Sequence, residues 1–111
     1  MGSNLNKEIK FLEKKISKEK NSILFARLAD VRYENDEIEK AIEICEQGVQ
    51  KFPYYVTGHL ILAKFYRAAS MKEQAIEELY RVVTFDPNNI VANKQLSQLL
   101  QEDGEEESAQ D

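Results

Sequence analysis

Few residues in this chain have the types and spacing that chemistry requires. His59 is its one histidine and Cys45 its one cysteine. A lone imidazole could serve as general base or metal ligand and a lone thiol as nucleophile, but each needs an activating or co-ligating partner at a set spacing. The sequence holds no Gly-rich phosphate loop and no Cys or His cluster at ligand spacing. Glu34-Asn35-Asp36-Glu37 gathers three carboxylates that could attract a cation. It lacks the spacing and turn glycine of a calcium loop and reads as a solvated polar turn. No catalytic, cofactor-binding or metal-ligating residue is therefore expected, and no enzyme activity or cofactor.

The elements that would position these groups come from a repeat. Between Ser22 and Asn89 two segments repeat each other at a spacing of 34 residues. Leu28-Ala29 recurs as Leu62-Ala63, Ala41-Ile42 as Ala75-Ile76, Glu43 as Glu77, Val49 as Val83 and Pro53 as Pro87, and a third copy begins with Leu96-Ser97 and reaches Gly104. Each unit carries apolar residues at helical spacing in two runs: Phe25, Leu28, Ala29, then Ile38, Ala41, Ile42, Cys45, Val49; and His59, Leu62, Ala63, Tyr66, then Ala75, Ile76, Leu79, Val82, Val83. Two amphipathic helices joined by a turn account for this pattern. Ala29, Ala63, Ala41, Ala75 and Gly48 fall where such helices need close approach. In this register His59 shares a column with Phe25 and Asn93 and is expected as a half-buried packing residue, while Cys45 shares one with Leu79 and is expected as a small core group.

These residues resemble the tetratricopeptide repeat family over residues 22 to about 104. The family's run of aromatic, Leu, small residue, Tyr, Ala, large apolar residue and Pro is met in the second unit by His59, Leu62, Ala63, Tyr66, Ala75, Leu79 and Pro87, and in the first by Phe25, Leu28, Ala29, Ala41, Cys45 and Pro53. Arg32 stands where Tyr is expected, with Tyr33 after it, and Asp36 and Ser70 stand at the usual turn glycine. The resemblance implies an all-α fold, a right-handed alpha-alpha superhelix of helix-turn-helix repeats with about six helices. It also implies that first helices line a concave groove for an extended peptide or partner helix. The matching positions are Ile23, Ala26, Asp30, Tyr33, Thr57, Leu60, Lys64, Arg67, Val91, Lys94 and Gln98. The convex back would collect Glu37, Glu39, Glu43, Glu46, Glu73, Glu77 and Glu78, leaving the groove apolar at one end and basic at the other through Lys64, Arg67 and Lys94. One subset of the family grips the carboxylate-terminated tails of heat-shock chaperones with a fixed set of Lys, Asn and Arg. Ala26, Asp30, Ile61, Val91 and Gln95 depart from that set, which disfavours a chaperone-tail receptor and leaves an internal acidic peptide open.

Along the chain, Met1-Gly2-Ser3 stands outside the fold pattern. Residues 4–18 carry Leu5, Ile9, Leu12 and Ile16 among lysines, one narrow apolar stripe suited to capping the first repeat. Such a helix could also meet an anionic membrane or nucleic-acid phosphates. A two-repeat solenoid needs a lid, and six lysines against three glutamates in residues 1–20 bind phosphate weakly, so neither a membrane nor a nucleic acid is expected as partner. Repeat 1 covers 22–55, with Asn21 or Ser22 as N-cap, helices to about Glu34 and over Glu37 to Lys51, and a stop at Pro53. Repeat 2 covers 56–89, with helices near Tyr55 to Ala69 and Lys72 to Thr84. Asp86-Pro87-Asn88-Asn89 then offers an N-cap for a terminal lid helix over 90–101 with Ala92, Leu96, Leu99 and Leu100 on one face. From Glu102 to Asp111 dense charge predicts disorder.

At 111 residues and 32% charged, the chain is one domain of soluble, helical composition. No apolar run approaches a membrane span, no signal region opens the sequence, and a single Cys forbids an intramolecular disulfide, so the cytoplasm is the expected compartment. The net charge of −5 divides into +3 for residues 1–20, −2 for 21–101 and −6 for 102–111. The function that follows is a non-enzymatic protein–protein interaction module holding a partner peptide or helix in a concave groove, an acidic peptide being compatible with it, in a scaffolding or assembly role. The alternative is a homo-oligomer joined through an exposed terminal helix face.

Overall fold

The computed structural model describes residues 2–19 and 22–110, with side chains described for 4–19 and 22–104. Asn21, one of the two expected N-caps, lies outside the described residues. Six helices follow one another: α1 (Gly2–Lys18), α2 (Phe25–Glu34), α3 (Ile38–Lys51), α4 (Val56–Ala68), α5 (Lys72–Phe85) and α6 (Ile90–Gln110). Each packs on its neighbours in sequence, α2 on α3 and α4 on α5 most closely, and α2 also touches α4. That linear order gives extents of 51 × 31 × 19 Å and a radius of gyration of 15.5 Å, against about 13 Å for a compact chain of this length. The architecture is the expected all-α superhelix of hairpins. Among the described residues no helix is long and apolar enough to cross a membrane.

The repeat acts through its small residues. Ala29, Ala63, Ala41 and Ala75 are completely or almost completely buried where helices approach closely. Gly48 has a more exacting task, since a Cβ there would lie 2.0 Å from the Phe25 ring. That ring stacks on Phe52 at 5.9 Å and meets the edge of Tyr55 at 6.0 Å. A second, smaller cluster seats the lid: Ile9 and Leu12 of α1 pack with Leu28 and Val31, with Leu5, Ile16 and Ile44 around them.

Both hairpins turn in the same way. After α2 the Glu37 N–H donates to the Arg32 carbonyl and Asp36 to Tyr33. After α4 Met71 donates to Tyr66 and Ser70 to Arg67. These are paired 6→1 and 5→2 bonds that close a helix with one left-handed residue. Asp36 (φ 62°) and Ser70 (φ 61°) supply it, so non-glycine residues bear the left-handed strain at both turns.

The helix ends correct several expectations. Ser22 Oγ accepts the Leu24 N–H at 3.0 Å, capping a turn rather than the helix, which begins at Phe25. Asn89 caps α6 as expected, its Oδ1 accepting the Ala92 N–H at 2.9 Å. The expected lid over 90–101 followed by disorder gives way to one helix that runs on to Gln110. Gly104 keeps a helical backbone, with no positive φ, and just before it Glu102 pairs with Arg67 at 3.2 Å and Asp103 with Lys72 at 3.7 Å.

Candidate peptide groove

The first helices of successive units, α2, α4 and α6, place their equivalent residues in columns. Asp30 and Lys64, one repeat apart, meet across α2 and α4 with Oδ1 and Nζ 2.7 Å apart. The same ammonium lies 5.2 Å from the Tyr33 ring and 5.4 Å from the Phe65 ring, and these two rings stack at 5.1 Å. Lys64 is thus held by one carboxylate and two π faces. Beside it Tyr33, Lys64, Arg67, Ala68 and Gln95 wall a hollow of 280 Å³, and the Arg67 guanidinium donates to Glu102.

Of the expected groove residues the structure brings Asp30, Tyr33, Lys64 and Arg67 together here. Thr57, Val91, Lys94 and Gln98 are exposed and Leu60 is half-buried, while Ile23 is exposed in the turn before α2. Ala26 does not belong to the set. It is buried in the core at 4% exposure, because its methyl lies on the side of α2 that packs inward. Ala68 and Gln95 complete the hollow, and the buried Phe65 ring backs Tyr33 and Lys64; Phe65 resembles any core residue in sequence, and its partnership with Tyr33 depends on how the two helices are rotated.

A second polar constellation, on the other side of α4, replaces two expectations. His59 is buried rather than half-buried (4% exposed), and Glu78 is buried at 5% rather than displayed on the back. The His59 Nε2 lies 2.6 Å from the Pro53 carbonyl and Nδ1 lies 2.6 Å from Glu78 Oε2, while Arg81 donates to Glu78 Oε1 at 2.6 Å. A carbonyl only accepts, so Nε2 carries a proton. Nδ1 faces the Oε2 of Glu78, whose other oxygen accepts from Arg81. The hydrogen bond to Glu78 accordingly raises the His59 pKa above 6.5 against the opposing effect of burial. With both nitrogens engaged, the imidazole ties the α3–α4 turn to α5. Asn93 repeats half of this one unit later, its Nδ2 donating to the Pro87 carbonyl at 2.9 Å. A cleft of 580 Å³ opens beside the cluster, lined by Glu46, Tyr66, Gln74 and Glu77 among others.

The remaining candidates have structural partners. Cys45 is fully buried, and burial pushes its thiol up to about 12, far from a reactive thiolate. Glu37 in the polar turn accepts hydrogen bonds from Asn35, Lys40 and Arg32, which hold its carboxyl down to about 2. Arg32, the departure from the repeat pattern, also reaches Glu13 of α1 at 3.3 Å and so ties the lid to the first hairpin. The equivalent Tyr66 bonds Glu46 on the helix that precedes its own unit. Among the described residues no group of three or more His, Cys, Asp and Glu side chains could hold a metal ion.

No family model matches the sequence. The chain is 28% identical over 90 residues to the uncharacterized protein ycf37 of Cyanophora paradoxa; the match covers 80% of this chain and spans about half, 52%, of that relative. Two solved structures superpose closely. One is the first TPR of Spaghetti (RPAP3) bound to the HSP90 peptide SRMEEVD, with a TM-score of 0.80, 19% identity and coverage of 89% of this chain and 79% of that one. The other is the first TPR domain of human RPAP3, with a TM-score of 0.82, 19% identity and coverage of 96% and 84%.

Proposed function

From a chain with the tetratricopeptide repeat fold, we propose that this protein is a non-enzymatic interaction module that holds an acidic peptide or helix in its groove, as a scaffold or assembly factor. One observation carries this reading: the two cations beside the 280 Å³ hollow, Lys64 and Arg67, are each already engaged by a carboxylate of the chain itself, Asp30 at 2.7 Å and Glu102 at 3.2 Å. All four side chains are partly solvent-exposed, where an ion pair is worth only about 0.2–1 kcal/mol, so a partner's carboxylates can exchange with them. The structural neighbour bound to the acidic peptide SRMEEVD supports the same class of ligand. Asp30 sits in this groove as an acid, so an internal acidic segment suits it better than a free carboxylate end.

A blocked acidic peptide provides the test. Lys64→Glu with Lys94→Glu should weaken binding at least ten-fold without loss of helicity, whereas Glu43→Lys with Glu77→Lys on the back should leave it within about two-fold, since exposed charges contribute little to folding. Equal loss from both pairs would replace a groove with a diffuse charge effect. A second reading, self-association, is favoured by the exposed Ile90, Val91 and Leu100 of α6; sedimentation of the full chain separates it from the first.

A further inference from the structure

The lid helix α1 carries the same spacing twice. Leu5, Ile9, Leu12 and Ile16 face the first hairpin. Lys7, Phe11, Lys14 and Lys18 repeat that i, i+4, i+7, i+11 ladder two residues later, about 200° around the helix and so on the opposite side. Lys10 and Lys15 flank this outer ladder, and all five lysines are exposed. At its centre Phe11 is 61% exposed, with the Lys15 ammonium 5.9 Å from its ring. The two acids within the helix turn away from this face. Glu8 pairs with Arg27 at 2.6 Å and Glu13 with Arg32 at 3.3 Å, both on α2 at the margins of the buried stripe. No carboxylate is paired with any of the five lysines among the described residues.

We infer that this outer face of α1 is a docking surface for an anionic lipid bilayer, with Phe11 inserted at the headgroup boundary and the lysines around it. Three features select this occupant. The face lies opposite the stripe by which α1 packs against α2, and its Phe11 and lysines are all exposed along one side of a straight helix, which suits a flat surface. Lysines with flexible apolar stems set their ammonium groups at headgroup level while an aromatic between them enters the interface. A nucleic-acid duplex, whose phosphates lysines also contact, offers a projecting phenylalanine no apolar layer to enter, and both arginines near α1 are turned inward to Glu8 and Glu13. From sequence, lid and lipid surface compete for one apolar stripe. In the structure they occupy opposite faces, so a helix that caps the solenoid also presents a basic, aromatic-centred exterior. The groove would then be carried at a membrane surface, although this inference stands independently of what the groove binds.

Each lysine near an anionic surface contributes about a five-fold factor to partitioning, and insertion of Phe11 adds on the order of ten-fold. The full chain should therefore co-float with vesicles of phosphatidylcholine containing about one third phosphatidylglycerol and fail to float with phosphatidylcholine alone. Lys10→Glu with Lys14→Glu should abolish flotation, and Phe11→Ser should reduce it about ten-fold. Circular dichroism and the melting temperature should stay at the parent values, because the lid stripe is untouched. Lys64→Glu in the groove should have no effect on flotation. Equal partitioning to neutral and anionic vesicles, or unchanged binding by the double lysine variant, overturns the inference. So does tight binding of a DNA duplex that Phe11→Ser does not weaken, which would mark a phosphate-binding face of another kind.

Discussion

The two repeats fill the same backbone slot with opposite chemistry. In the first, Phe25 lies among Ile44, Gln47 and Gly48 in an apolar setting, its ring stacked on Phe52. One repeat later those four positions are His59, Glu78, Arg81 and Val82, and the slot holds a buried imidazole–carboxylate pair closed by an exposed guanidinium. Size is redistributed along with charge, since the larger ring stands with glycine and the smaller ring with valine. A packed slot and a fully hydrogen-bonded ionic slot can support the same hairpin. They differ in how they fail: the ionic slot depends on both partners, because removing one strands a desolvated charge.

The largest effect expected follows from that dependence. Glu78→Gln or His59→Leu alone should cost about 3–5 kcal/mol, whereas His59→Leu with Glu78→Met, an apolar pair of similar volume, should be close to neutral or stabilising. Chemical denaturation of the three variants measures this; three equal losses would mean that the pair does not act as a unit. Leucine is chosen over phenylalanine at position 59 because Val82 stands where the first repeat has Gly48. The same pair predicts a pH dependence. The folded pKa of His59 is raised above 6.5, so its contribution is complete below that value and is lost as pH rises through the folded pKa. The melting temperature of the parent should fall over that interval more than that of the double variant.

Next in size is the apolar slot. Gly48→Ala drives a methyl to within 2.0 Å of the Phe25 ring and should cost about 1–3 kcal/mol through overpacking, while Val82→Ala at the equivalent position should behave as an ordinary loss of buried methyls. A Gly48→Ala protein that melts like the parent would show that the ring can move aside, and the slots would then differ less than their residues suggest. The smallest effect is expected where the repeats agree. Asp36→Gly and Ser70→Gly should each stabilise by about 0.5–1 kcal/mol by relieving a left-handed residue. Unequal gains would show that the two turns carry different strain despite matching hydrogen bonds.

The 34-residue period, the small-residue columns and the order of helices were legible because they arise from local periodicity and from close approaches that every unit must make in the same way. Asn89 as a cap and Pro53 and Pro87 as stops were legible for the same local reason. Other features were settled between elements. His59 finds Glu78 on another helix, and nothing in either residue's neighbourhood announces it; helix rotation brought a glutamate assigned to the back into the core. Ala26 turned inward for the same reason, and Arg32 found the lid instead of a place in the repeat's tyrosine column. The acidic segment after Gln101 has the composition of a disordered tail, yet α6 packs beside α5 and brings Asp103 to Lys72 of α5 and Glu102 to Arg67 at the end of α4. Sequence by itself determined the period, the helices and the stacking they require. Tertiary structure decided which charges are buried, which face of α1 is exposed and which cations stand beside the hollow between α2, α4 and α6, because those depend on the rotation and spacing of helices that no single segment encodes.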